Sequence, residues 1–171
     1  IQDIIVLKNN KGTEDNRVRK LDYSIQISKL FYERFIESKE ISLFSPHDVS
    51  GLYDSFGTES FDELYLKYEA DKSIPRTTIS AQELILALLK ERAETGRLYI
   101  MNIDHCNSHS SFLDKVEMSN LCQEITLPTK PIQHIDDENG EIALCILSAI
   151  NVGKVKSDNE LENLCDLSVR A

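Results

Sequence analysis

Asn120, Cys122 and Glu124 stand at alternate positions in the stretch "MSNLCQEITLPT". In extended chain successive side chains point to opposite faces, so an amide, a thiol and a carboxylate would share one face, with Leu121, Gln123 and Ile125 on the other. On such a face the amide positions a hydroxyl by hydrogen bonding, the carboxylate accepts its proton, and the thiol acts on the same carbon. Helical spacing would need positions three or four apart. The pattern equally fits a half-exposed strand without chemistry, and cysteine is most often a buried, inert residue.

The other thiols and imidazoles offer weaker constellations. Four cysteines, at 106, 122, 145 and 165, form no CxxC pair and read as reduced thiols. His105, Cys106 and His109 in "DHCNSH" resemble half of a zinc site, but a closed site needs four ligands and no second Cys/His pair lies nearby. A nucleophilic Cys122 or Cys106 with a histidine base would need a cation or a helix N-terminus to lower the thiol pKa. Nothing in "SNLCQE" supplies one, and Glu124 would oppose a thiolate. Radical chemistry makes no such demand, because the thiol then gives up a hydrogen atom. Cys145 inside "IALCIL" and Cys165 among Leu161, Leu164 and Leu167 read as core thiols. Asp136, Asp137, Glu138 and Glu141 read as a solvated turn pinned by Asn139-Gly140. "GTEDNRVRK", with Gly12, lacks phosphate-loop spacing and reads as a connecting loop.

The elements that must position these groups follow from pattern and punctuation. "DIIVL" predicts a short buried strand, followed by the polar loop "KNNKGTEDN". Leu21, Ile25, Leu30 and Phe31 predict an amphipathic helix from about 21 to 36. "ISLFSP" predicts a strand halted at Pro46, and "HDVSGLYDSFG" a short helical turn. Ser60 with Glu63 opens a helix in "SFDELYLKYEAD", and Pro75 bars its extension. In "SAQELILALLKERAETG", Ser80 and Glu83 form a capping box, Leu84, Leu88 and Leu89 a buried stripe, and Gly96 a C-terminal cap. "LYIMNI" predicts a buried strand, "DHCNSHSSF" a polar loop, and Ile142 to Ile150 a long apolar strand. Ser157 and Glu160 open a last helix running to Ala171. Strands alternating with helices place the chain in the α/β class.

Bulk composition bounds the function. At 171 residues and 41% hydrophobic, the chain suffices for one domain or a large piece of one. A net charge of −10 argues against a nucleic-acid polymer as partner, although a mononucleotide remains compatible. No run approaches the roughly 20 apolar residues of a membrane helix, so a cytoplasmic protein without a membrane partner is expected. Residues 1–171 read as one partial domain with both ends cut: Ile1 opens straight into an apolar run, and the last helix has no stop signal.

Together, "LKNNKGTEDNRVRKLDY", "ISLFSPHDVSGLYDSF", "ERAETGRLYIMNIDHCNSHS", "SNLCQEITLPTKP" and "DENGEIALCILSAINVG" closely resemble the catalytic barrel of the large, alpha subunit of class I ribonucleotide reductase. The resemblance covers nearly the whole chain, in order. It implies part of a ten-stranded α/β barrel with a central finger loop, here "SNLCQE". It implies that Cys122 forms a transient thiyl radical that removes the 3′ hydrogen atom of a ribonucleoside diphosphate. Glu124 would take the 3′-hydroxyl proton, Asn120 would hydrogen-bond the substrate, and the backbone of Asn120, Leu121, Cys122, Gln123 and Glu124 would lie against it. Cys145 would be one of two cysteines that reduce the substrate and end as a disulfide, its partner lying upstream of Ile1. "DHCNSH" would be barrel framework.

The same resemblance implies no cofactor on this chain. A metal-radical cofactor would belong to a small, beta subunit, ATP or dNTP effectors would bind segments absent here, and the phosphate-binding segment, the radical-transfer tyrosines and a C-terminal cysteine pair would be absent too. The remaining partners implied are a thioredoxin- or glutaredoxin-type reductant and the rest of a dimeric alpha subunit. The 171 residues alone would be inactive. The alternative class is a noncatalytic split-gene piece or interaction module that needs partner chains.

Overall fold

The computed structural model describes residues 2–9, 11, 13–16, 18 and 20–171, with all their side chains except those of residues 2 and 16. Ile1 and Gly12 therefore lie outside the described residues. The chain divides into two compact units, 1–141 and 142–171.

In the first unit, helix α1 (Gln2–Ile5) leads through a 3-10 turn at Glu14–Asn16 into strand β1 (Tyr23–Ile27) and helix α2 (Lys29–Ile36). Then come β2 (Glu40–Phe44), α3 (Leu52–Ser55), α4 (Ser60–Ala70), β3 (Arg76–Ser80), α5 (Ala81–Thr95), β4 (Leu98–Asn102) and α6 (Ile103–Ser108). Two small sheets result: β1 pairs β4 in parallel, Tyr23 opposite Leu98, and β2 pairs β3 antiparallel, Ile41 opposite Ile79. This is an α/β arrangement, and no closed barrel forms among the described residues.

Helix α5 shows how the sequence sets an element and its face. The Ser80 hydroxyl accepts the Glu83 N–H at its start, and Gly96 ends it in the left-handed region at φ 66°. Ala81, Leu84, Ile85 and Leu88 recur at helical spacing and are all buried, with Leu88 at 0% exposure. Leu89 is half exposed instead, because the buried stripe runs through Ile85. Around α5 pack Ile5, Ile27, Phe31, Ile41 and Leu98. A second cluster joins Leu30, Val49, Leu52, Phe61 and Tyr65, and a third joins Met101, Ile103 and Val116.

Several expectations are corrected. "DIIVL" supplies a helical turn rather than a strand: Ile5 is buried against α5, and its carbonyl accepts the Tyr23 hydroxyl at 2.6 Å. The stretch 21–36 divides, because Tyr23, Ile25 and Ile27 alternate with Ser24 and Gln26 at strand period and Ser28 caps α2 through the Phe31 N–H. Strand β3, rich in β-branched Thr77, Thr78 and Ile79, had no counterpart in the sequence reading. Ser60 lies inside α4 rather than capping it, since Glu59 precedes the helix already in a helical conformation. "DHCNSH" is helix α6, not a loop, with Asp104 in its first turn.

Tyr65 ties α4 to β2. Its hydroxyl accepts the Ser42 N–H at 2.7 Å and donates to the Ser42 carbonyl at 2.8 Å. Burial, reinforced by the Glu69 carboxylate, pushes its pKa up to about 12. Tyr65→Phe is expected to cost about 1–3 kcal/mol in urea unfolding at neutral pH, since it strands a buried N–H and a buried C=O. A group whose folded pKa is raised contributes stability in full below its unfolded value. That contribution is lost here as pH rises from 10.0 toward about 12. Unfolding midpoints measured across that window should fall less steeply for the variant.

The second unit holds residues 142–150 without regular structure, a 3-10 turn at Val152–Lys154, and helix α7 (Asp158–Arg170), capped by Ser157 through the Glu160 N–H. The strand expected from Ile142 to Ile150 does not form, because no neighbouring strand pairs with it among the described residues. Ile142, Leu144, Ile146 and Leu147 stay exposed. Cys145 and Cys165 are likewise exposed rather than core thiols, since so short a unit closes no core around them.

Candidate functional site

The stretch that carries Asn120, Cys122 and Glu124 is a loop held by its own side chains. It is not extended: the Gln123 N–H donates to the Asn120 carbonyl at 3.2 Å, and Gln123 has φ 65°. A non-glycine residue in the left-handed region marks a tight turn. Strand alternation is therefore broken between Cys122 and Glu124, and the shared face expected from the sequence is corrected to a turn.

Asn120 organises that turn. Its Oδ1 accepts the Ile125 N–H at 2.9 Å and the Ser119 hydroxyl at 3.1 Å. Ser119 Oγ also lies 2.5 Å from the Ile125 carbonyl, and Gln123 Nε2 donates to the Asn120 carbonyl at 3.2 Å. Asn120 thus commits its side-chain acceptor to the loop. Cys122, Glu124 and Leu121 are exposed at the tip, and Gln123 buries an Oε1 that has no partner among the described residues. Cys122 and Glu124 are thus an exposed thiol and an exposed carboxylate two residues apart, on a loop whose shape is fixed from within.

The loop rises from a fastened base. Val116 is fully buried beside Met101 and Ile103. Its N–H donates to Asn107 Oδ1 at 2.7 Å, and its carbonyl accepts from Asn107 Nδ2 at 3.2 Å. Asn107 Nδ2 also reaches the Gly57 carbonyl at 2.9 Å. On either side, the Glu117 carbonyl accepts from Gln26 Nε2 at 2.6 Å, and Lys115 Nζ donates to the Asp54 carbonyl at 2.9 Å. Gln26 and Asn107 were missed from the sequence; the one available signal was an Asn inside "DHCNSH", and a side-chain bond to distant backbone leaves no periodicity.

Of the remaining candidates, His105, Cys106 and His109 line one pocket with Thr126, just past this loop. His105 and His109 meet edge to face with ring centroids 5.8 Å apart, and His109 Nδ1 lies 3.0 Å from the His105 carbonyl. Burial raises the pKa of the neighbouring Cys106 thiol, the wrong direction for a nucleophile. Among the described residues no group of three or more His, Cys, Asp or Glu could hold a metal ion. Asp137 pins the acidic turn: its carboxylate accepts the Asn139 N–H at 3.0 Å and the Gln133 N–H at 3.1 Å, which lowers its pKa. An antiparallel bridge between Lys130 and Glu141 closes that segment. Cys145 belongs to the other compact unit. All four cysteines are free, and no described helix is long and apolar enough to cross a membrane.

Comparison with known proteins gives this loop a context. Residues 1–171 match the family model described as ribonucleotide reductase, barrel domain. The ribonucleoside-diphosphate reductase subunit alpha of Haemophilus influenzae is 57% identical over 161 residues, which cover 91% of this chain and 21% of that protein. The subunit of the same name from Buchnera aphidicola subsp. Schizaphis graminum is 52% identical over 100% of this chain and 23% of its own length. Ribonucleoside-diphosphate reductase 1 subunit alpha of Escherichia coli is 53% identical over 77% of this chain and 18% of its own length. The chain therefore spans about a fifth of the length of the curated relatives it matches.

Proposed function

Because the chain belongs to the ribonucleotide reductase barrel-domain family, we propose that its 171 residues form one part of the catalytic barrel of a cytoplasmic ribonucleoside-diphosphate reductase alpha subunit. The whole barrel has ten strands, with the loop at residues 119–125 as its central finger. The observation that carries this reading is the match along the full chain to proteins named for that activity, together with a thiol and a carboxylate exposed at the tip of that loop.

The reaction replaces the 2′-hydroxyl of a ribonucleoside diphosphate by hydrogen. Cys122, oxidised to a thiyl radical, removes the 3′ hydrogen atom and returns it at the end. Glu124 takes the 3′-hydroxyl proton, and a thiol of the Cys145 pair protonates the 2′-hydroxyl, which leaves as water. Asn120 offers its Nδ2 donor to the substrate while its Oδ1 holds the turn, and the backbone of Leu121 and Gln123 lies alongside. Cys145 and a second cysteine outside these residues supply two electrons and end as a disulfide, which a thioredoxin- or glutaredoxin-type dithiol reduces. A small, beta subunit provides the radical through its own metal cofactor, and ATP or dNTP effectors act on segments outside this chain.

The test is turnover of a ribonucleoside diphosphate. A complete alpha subunit carrying this stretch, supplied with beta subunit and dithiol, is expected to form the deoxy product, whereas the 171 residues alone form none. Turnover by the 171 residues alone, or none by the reconstituted subunit, would sink the proposal. A noncatalytic interaction module would show no dependence on Cys122.

A further inference from the structure

We infer that Asn107, assisted by Gln26, is a positioning residue that aims the Cys122 loop by fastening its base at Val116 and Glu117. The inference rests on the assignment of Cys122 above. Residues 115–129 belong to no strand ladder among the described residues, so the direction of the loop is set by whatever holds its ends. At the near end three consecutive residues are tied to three different elements. Lys115 reaches the end of α3 at Asp54, Val116 is gripped by Asn107 of α6, and Glu117 is held by Gln26 of β1.

The grip of Asn107 is the strictest of the three. One planar amide satisfies both the N–H and the C=O of Val116, as a neighbouring strand would, and fixes the peptide plane in orientation as well as position. Its second donor contact, to the Gly57 carbonyl, locks the amide against the α3–α4 connection. Gly57 permits this approach: at φ 78°, a Cβ there would lie 2.5 Å from Ile103 Cγ1 and 2.8 Å from Asn107 Nδ2. Beyond the anchor, the internal bonds of Asn120 make residues 119–125 a preformed turn. A tilt at Val116 would therefore be carried outward to Cys122 rather than absorbed.

The experiment uses a complete alpha subunit carrying this segment, with beta subunit, dithiol and a ribonucleoside diphosphate. The readouts are kcat per folded site and KM. For Asn107→Ala, kcat is expected to fall roughly 10- to 100-fold, because an error of about 1 Å in a reacting group costs on that order. KM should change by less than about threefold, since the resemblance places the phosphate-binding segment outside these residues. Gln26→Ala, which removes the bond to the Glu117 carbonyl and a 3.7 Å contact to Met101 Sδ and disturbs no helix, should lower kcat several-fold in the same sense. An unchanged kcat per folded site in Asn107→Ala, or a KM that rises as much as kcat falls, overturns the inference. If Asn107→Ala does not fold, Gln26→Ala decides by the same criteria. Cys122→Ser, run in parallel, keeps the two claims apart. Turnover in that variant removes the reading of Cys122 itself, whereas its loss beside a normal Asn107→Ala removes only the latch.

Discussion

In a complete alpha subunit carrying this segment, Cys122→Ser is expected to abolish ribonucleoside-diphosphate reduction while leaving substrate affinity and folding nearly unchanged. The side chain is exposed and takes no part in the hydrogen bonds that shape its loop, so exchange of sulfur for oxygen should shift stability by no more than about 0.5 kcal/mol. The chemistry does not survive the exchange. A thiol yields its hydrogen atom and takes it back at comparable cost, whereas an alkoxyl radical is far harder to form. The result should be read as turnover per site, with affinity followed by equilibrium binding of the diphosphate. Residual turnover above background would show that the abstracting group lies elsewhere.

Glu124→Gln carries the second large effect. The substitution keeps length and shape at an exposed loop position, and removes the capacity to take a proton together with the negative charge. General-base catalysis by a positioned carboxylate contributes on the order of 10²- to 10⁴-fold, and kcat should fall within that range. KM should move much less, because the interaction is made mainly in the transition state. A fall confined to KM would recast Glu124 as a binding group.

How far this could be read in advance depended on whether each signal was local. Helix α5 was legible with both ends, because Ser80, Glu83 and Gly96 act within one turn of their own positions. Strands β2 and β4 and the turn at α3 were legible for the same reason. The misses have two causes. Residues 23–27 alternate at strand period, but the helical spacing of Leu21, Ile25, Leu30 and Phe31 runs across them, and residues 142–150 have the composition of a strand but no ladder to join among the described residues. The chemical trio of the candidate site was legible as residues. Its geometry was not, because the left-handed Gln123 and the side-chain bonds of Asn120 interrupt the period of two on which the shared face depended.

The parallel pairing of β1 with β4 also has a kinetic meaning. Gln26 and Met101 are register partners 75 residues apart, and both sit at the root of the loop that presents Cys122, one bonded to Glu117 and the other packed on Val116. Closing so long a segment is slow compared with forming α5 or the β2–β3 pair, whose contacts are more local. Fixing the direction of Cys122 is therefore expected to follow the formation of α5 and of the β2–β3 pair, because Gln26 and Glu117, whose bond helps to hold the loop, lie 91 residues apart.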